Sequence, residues 1–149
     1  MNPIRILLIE DNEGDILLTT EALTEGRIVN EVDVVKDGGA ALDFLRKKGE
    51  YTRSKTPDLI LLDVNLPKKD GHEVLQSIKD DPALKTIPVI MLTTSSAASD
   101  ILKAYKNHAN CYITKPVEVD DFISTVAGIE NFWVSIVKLP PRGQNEAME

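Results

Sequence analysis

The sequence predicts a doubly wound α/β domain, in which a five-stranded parallel sheet is covered by helices on both faces. Two observations support this prediction. Five short apolar runs show almost no alternation with polar residues, as is typical of parallel strands buried on both faces. Segments with a helical spacing of apolar residues lie between these runs, and such alternation favours βαβ units. The length of 149 residues suits a single domain.

The first half of the chain contains three predicted strands and two predicted helices. The strands are the apolar runs Ile4–Ile9, Val32–Val35 and Leu59–Leu62. The helices are Asp15–Leu23, which ends at Gly26, and Ala40–Arg46, which ends before Gly49. The predicted apolar stripe of the first helix comprises Ile16, Leu17, Thr20 and Leu23.

The second half continues the alternation. Its predicted elements are the helix Gly71–Lys79, the strand Val89–Leu92, the helix Ala97–Lys106, the strand Cys111–Ile113 and the helix Val117–Val137. The last helix has apolar residues at steps of three or four, although Gly128 weakens it by about 1 kcal/mol relative to Ala. We predict one folded domain over residues 1–127, an extension that continues the last helix over 128–140 and a flexible tail over 141–149.

The composition argues against several classes of protein. Lys and Arg number 17 against 24 Asp and Glu, so the net charge of −7 disfavours nucleic acid and anionic membranes as main partners. A single Cys excludes an intramolecular disulfide framework and a thiolate zinc site. The N-terminal residues resemble neither a signal peptide nor a membrane span. We therefore expect a cytoplasmic protein.

Polar residues follow four of the predicted strands, where ligands bind in folds of this kind. They are Glu10 and Asp11 after the first strand, Asp63 and Asn65 after the third, Thr93 and Thr94 after the fourth, and Lys115 after the fifth. Three neighbouring carboxylates repel one another unless a cation joins them, and an all-oxygen site with open positions suits Mg²⁺. A carboxylate beside Mg²⁺ and a lysine can act as a nucleophile towards phosphorus.

Each of these residues also has a plain structural interpretation. An acidic pair before a helix is often an N-cap and a favourable helix-dipole charge. Asp63 alone could be a turn residue, Thr93 a helix cap and Lys115 a solvated surface residue. Their joint occurrence, one at each successive strand end, favours the functional interpretation.

Four sequence segments resemble the signatures of the receiver domain of two-component response regulators. They are ILLIEDN, LILLDVNLP, VIMLTTS and CYITKP, and the resemblance runs from Ile4 to Ala127. It implies a flavodoxin-like fold with strand order 2-1-3-4-5. It also implies a phosphorylated signalling protein that assists its own phosphorylation and dephosphorylation but is not a turnover enzyme.

The resemblance assigns a role to each residue of the rim. Asp63 matches the phosphoacceptor. Glu10 and Asp11 match the acidic pair that holds Mg²⁺, to which Asn65 would add its backbone carbonyl. Lys115 matches the lysine that pairs with the phosphoryl group.

The remaining matched residues belong to the switch and to the phosphoryl contacts. Thr93 matches the switch hydroxyl, and Tyr112 matches the aromatic residue coupled to it. The backbone N–H groups of Asn65 and Thr94 would also donate to the phosphoryl oxygens. Pro116 matches a proline that is usually preceded by a cis peptide bond.

A narrower resemblance concerns the end of the chain. FWVSIVKLP at Phe132–Pro140 and the phrase at Val64–Lys69 are similar to the small response regulators that partner cyanobacterial phytochromes. This implies a phytochrome-type histidine kinase as phosphodonor and a homodimer formed through the C-terminal face. The candidate dimer residues are Phe132, Trp133, Ile136 and Val137.

Two alternatives remain open at this point. Phosphatases of the haloacid dehalogenase class also use a strand-end Asp, Mg²⁺ and a Lys. They usually carry a second Asp two residues after the nucleophile, where this chain has Asn65. A degenerate receiver acting only as a binding module is the second alternative, and the complete set of site residues argues against it.

Overall fold

The computed structural model describes residues 4–25, 30–94, 111–118 and 120–121. It contains a five-stranded, wholly parallel sheet with the order β2-β1-β3-β4-β5, which confirms the predicted fold class. The strands are β1 (Ile4–Ile9), β2 (Asn30–Val35), β3 (Leu59–Asp63), β4 (Val89–Thr93) and β5 (Cys111–Thr114). The described α-helices are α1 (Glu13–Glu25), α2 (Gly38–Arg46) and α3 (Gly71–Asp80), and a short 3₁₀ turn at Gly49–Tyr51 follows α2.

The last three strands each run one residue further than the apolar pattern predicts. As a result Asp63, Thr93 and Thr114 are the final residues of their strands. A residue at a strand end is still held by the ladder of the sheet, so its backbone position is fixed. Asp63 and Thr93, which were predicted to follow β3 and β4, are therefore part of the sheet itself.

Helices pack on both faces of the sheet, as predicted. On one face, Leu7, Ile9, Ile60 and Leu62 pack with buried residues of α2 and α3. On the other face, the alternate strand residues pack with Ala22 and Leu23 of α1. Because side chains alternate across a strand, each apolar strand serves both layers. This explains why the strands lack a polar alternation.

The apolar stripe predicted for α1 is partly wrong. The buried residues of this helix are Thr19, Ala22 and Leu23, with Ile16 partly buried. Leu17 is 59% exposed, so it does not belong to the stripe that faces the sheet. The difference is one of rotation about the helix axis, since Ile16, Thr19 and Leu23 follow the same helical period.

Two helices begin earlier than predicted because polar side chains cap them. The Asn12 side chain accepts a hydrogen bond from the Asp15 backbone N–H at 2.9 Å, which places the start of α1 at Glu13. The Asp37 side chain accepts from the Ala40 backbone N–H at 2.8 Å, at the start of α2. Such caps satisfy N–H groups that have no partner inside the helix.

The predicted helix Ala97–Lys106 lies outside the described residues. Of the last predicted helix, residues 117, 118, 120 and 121 are described. Val117 and Glu118 are not helical, whereas Asp120 and Asp121 are, so the helix starts later than predicted. Val117 is instead buried against the α1 face of the sheet. Within the described ranges, no helix is long and apolar enough to cross a membrane.

Helix α3 begins with a reciprocal cap formed by Asp70 and Glu73. The Asp70 side chain accepts from the Glu73 backbone N–H at 3.0 Å, and the Glu73 side chain accepts from the Asp70 N–H at 3.1 Å. Replacing Asp70 with Ala should lower the free energy of unfolding by about 1 kcal/mol. Urea denaturation measures this loss. Asp70→Asn keeps an acceptor and should unfold near the wild-type midpoint; an equal loss in both variants would contradict the capping role.

Candidate functional site

Two carboxylates are buried side by side at the carboxyl ends of β1 and β3. Ile9 is in register with Leu62, so Glu10 and Asp63 stand next to one another at the same edge of the sheet. Glu10 is 0% exposed and Asp63 is 1% exposed. Asp11 follows Glu10 and is exposed. One carboxylate oxygen from each of these three residues lies within 4.8 Å of the others.

The protonation of Glu10 reflects this crowding. The pKa of Glu10 is raised to about 7. Burial of the carboxylate is the largest cause, and the hydrogen bond between Glu10 and Asp63 is the next. The Lys115 ammonium and the Asn12 backbone N–H, which donates to Glu10 Oε2 at 3.2 Å, oppose this shift. Two buried carboxylates in contact favour a bound cation or a shared proton.

The donor set fits a divalent cation. Glu10, Asp11 and Asp63 offer oxygen ligands, which hard cations prefer. The two buried carboxylates need positive charge nearby, while the exposed side of Asp11 leaves room for water or for further oxygen ligands. The fold therefore brings together the three acidic residues of the predicted metal site, Glu10, Asp11 and Asp63.

Lys115 reaches this carboxylate cluster from the end of β5. Its Nζ lies 3.0 Å from Glu10 Oε1 and 3.3 Å from Asp63 Oδ2, and its side chain is 7% exposed. The Lys115 backbone N–H donates to the Thr93 carbonyl at 2.7 Å, which ties the residue to the end of β4. The peptide bond between Lys115 and Pro116 is cis, as the resemblance implied.

Asp15 also contacts Lys115, and sequence reasoning missed it. Its Oδ2 lies 2.8 Å from Lys115 Nζ, the shortest of the three contacts that this ammonium makes with carboxylates of the described residues. Burial lowers the pKa of Lys115, but the hydrogen bonds to Asp15 and Glu10 and the charge of Asp63 outweigh it and raise that pKa above its ordinary value. The available signal was the position of Asp15 in the first turn of α1, shortly after the strand end.

The loop after β3 is held firmly around Asp63. The Asn65 backbone N–H donates to Asp63 Oδ1 at 3.1 Å. The Val64 N–H donates to the Leu92 carbonyl at 2.9 Å, and the Gly71 N–H donates to the Val64 carbonyl at 2.9 Å. These bonds connect the end of β3 to β4 and to the start of α3, so they fix the direction of the Asp63 side chain.

The predicted switch residues occupy neighbouring strands. Thr93 ends β4 and is 4% exposed, and Tyr112 is partly buried. Thr93 is in register with Thr114, and Met91 with Tyr112. Tyr112 and Thr93 therefore point to the same face of the sheet, one strand apart. Thr94 follows β4 and is exposed, whereas Phe132, Trp133, Ile136 and Val137 lie outside the described residues.

Comparisons with known proteins agree with this geometry. Residues 6–127 match the family of the response regulator receiver domain. Response regulator Rcp1 from Synechocystis sp. is 49% identical over 138 residues, which cover 93% of this chain and 94% of that protein.

Two solved structures are similar to the chain over most of its length. The crystal structure of the phosphorylated cyanobacterial phytochrome response regulator RcpA is 50% identical, with a TM-score of 0.77, and the match covers 93% of this chain and 99% of that one. The crystal structure of the Mn²⁺-bound form of Rcp1 is 49% identical, with a TM-score of 0.75 and the same shares covered. The extent of the family match and the identity to Rcp1 show that this chain belongs to the response regulator receiver domain family.

Proposed function

We propose that Asp63 accepts a phosphoryl group from a phosphohistidine of a histidine kinase. The observation that supports this is the buried Asp63 carboxylate, which lies beside Glu10 and Asp11 and 3.3 Å from the Lys115 ammonium. Phosphorylation by a kinase is the general function of the receiver domain family.

Each residue of the site has a part in the transfer. A carboxylate oxygen of Asp63 attacks phosphorus, the P–N bond of the donor breaks, and its electron pair returns to the imidazole. Lys115 donates to a phosphoryl oxygen, and the N–H groups of Asn65 and Thr94 can donate to the others. Glu10, Asp11, Asp63 and the Asn65 carbonyl would hold Mg²⁺, which would supply positive charge near the phosphoryl oxygens.

The phosphorylated form would act through a change of conformation. Phosphorylation adds about −1.5 to −2 charge at Asp63. The Thr93 hydroxyl then moves towards the phosphoryl group, and Tyr112 turns inward on the same face of the sheet. Hydrolysis of the acyl phosphate reverses the change, so the protein is a switch rather than a turnover enzyme.

The similarity to RcpA and Rcp1 supports a phytochrome-type histidine kinase as the partner. The homodimer through Phe132, Trp133, Ile136 and Val137 and the cytoplasmic location remain predictions from the sequence. Analytical ultracentrifugation of the full chain at high micromolar concentration tests the dimer, and a monomer would contradict it.

A phosphotransfer assay tests the proposed function. A phytochrome-type kinase is labelled with radioactive ATP, freed of nucleotide and metal, and mixed with the protein. With Mg²⁺ we expect the label to pass to the protein and to be released by hydroxylamine, which cleaves acyl phosphates. Chelation of the metal should slow transfer by at least about a hundredfold. Transfer at equal rates with and without metal would contradict the proposed role of the carboxylate cluster.

A further inference from the structure

In the part of the chain that the structure describes, Lys115 contacts three carboxylates, and two of them already have places in the proposed chemistry. Glu10 belongs to the metal cluster and Asp63 is the acceptor. Asp15 is the third, and its Oδ2 is the nearest to Lys115 Nζ, at 2.8 Å. The side chain of Asp15 is 30% exposed, whereas those of Glu10 and Asp63 are buried. Asp15 therefore contacts the ammonium from the solvent side of the cluster.

The fold holds the Asp15 carboxylate in this place. The Asp15 backbone N–H is fixed by the Asn12 cap at 2.9 Å, and the Ile16 N–H donates to the Asn12 carbonyl at 2.9 Å. Further along α1, Thr19, Ala22 and Leu23 are buried against the sheet. The first turn of α1 is thus a rigid support, on which a short side chain has few alternative positions.

The plain interpretation is that Asp15 only stabilises the first turn of α1 through the helix dipole. Glu13 allows the two interpretations to be separated. It is the other acidic residue of the same turn, and it pairs with Lys36 on the surface. A general helix-dipole effect would appear on removal of either acid, whereas an effect transmitted through Lys115 belongs to Asp15.

We infer that Asp15 is a positioning residue that aims the Lys115 ammonium at the acceptor site. A lysine side chain is long and flexible, and Asp15 holds its end from the solvent side while the two buried carboxylates contact it from the interior. The ammonium is then already in position when a phosphoryl group arrives. Less side-chain entropy of Lys115 is therefore lost on reaching the transition state, and the barrier is lower. This inference rests on the proposed function for its chemical consequence.

The first test measures the rate at which phosphoramidate, in the presence of Mg²⁺, phosphorylates the full chain. Asp15→Ala should slow phosphorylation about tenfold. Glu13→Ala, the matched control, should remain within about twofold of the wild type. In a Lys115→Ala background the further change Asp15→Ala should have little effect, because the residue it positions is already gone. Equal slowing in both backgrounds, or a wild-type rate for Asp15→Ala, would overturn the inference.

A second readout does not depend on phosphorylation. In protein labelled with ¹⁵N-lysine, the Lys115 ammonium should give a slowly exchanging NMR signal, assigned by its absence in Lys115→Ala. The signal should disappear in Asp15→Ala and persist in Glu13→Ala. Persistence in Asp15→Ala would overturn the positioning role even if phosphorylation proceeds. Failure of the wild type to accept a phosphoryl group would instead contradict the proposed function, so the two failures are distinguishable.

Discussion

Asp63→Asn should abolish acceptance of the phosphoryl group while leaving the fold intact. The amide is a poor nucleophile, so we expect the rate of labelling by a phosphorylated kinase to fall by at least about a hundredfold. Stability should be maintained or increased in the absence of metal. The reason is that Asp63 and Glu10 are buried in contact, and removing one negative charge relieves their repulsion. Labelling and urea denaturation of the same preparation measure both effects.

Asp58→Asn is the matched control for this prediction. Asp58 precedes β3 at the opposite end from Asp63, and its Oδ2 accepts a hydrogen bond from the Arg5 backbone N–H at 2.9 Å. An asparagine can still accept this bond, so the variant should be labelled at the wild-type rate. If Asp63→Asn retained more than a tenth of the wild-type labelling rate, Asp63 would not be the acceptor.

The sequence was sufficient to predict residues whose position follows from strand direction. In a parallel sheet all carboxyl ends lie at one edge, so the residues that come just after the apolar runs lie together; these are Glu10, Asp63, Thr93 and Lys115. The positions of these residues at one edge of the sheet follow from strand direction alone, without any information on side-chain contacts. The same reasoning predicted the metal cluster of Glu10, Asp11 and Asp63.

The contact between Asp15 and Lys115 could not be predicted in this way. It joins residues 100 positions apart, and it depends on the rotation of α1 about its axis. The predicted stripe included Leu17, which is 59% exposed, so the rotation of this helix was not determined by its apolar residues alone. Instead, Asn12 fixes the start of the helix through its side chain, and burial of Thr19 contributes to the face that packs.

Gly71→Ala should destabilise the fold strongly, although it adds only a single methyl group. A Cβ at Gly71 would lie 2.3 Å from the Asp63 carbonyl oxygen and 2.8 Å from Val64 Cα. Both are backbone atoms, so the contact cannot be relieved by rotating a side chain. We expect the free energy of unfolding to fall by about 3 kcal/mol, as measured by urea denaturation. Because the displaced backbone carries Asp63, labelling should slow as well.

Gly39→Ala provides the comparison that separates this contact from the general effect of replacing glycine. Gly39 is exposed in the first turn of α2, and its added Cβ would meet the Asp37 side chain at 3.3 Å. That variant should stay within about 1 kcal/mol of the wild type, since alanine favours the helix. If Gly71→Ala were as stable as Gly39→Ala, the backbone at Asp63 would not be in close contact with α3. That result would mean that the start of α3 does not hold the Asp63 carboxylate beside Lys115 and the metal-binding residues.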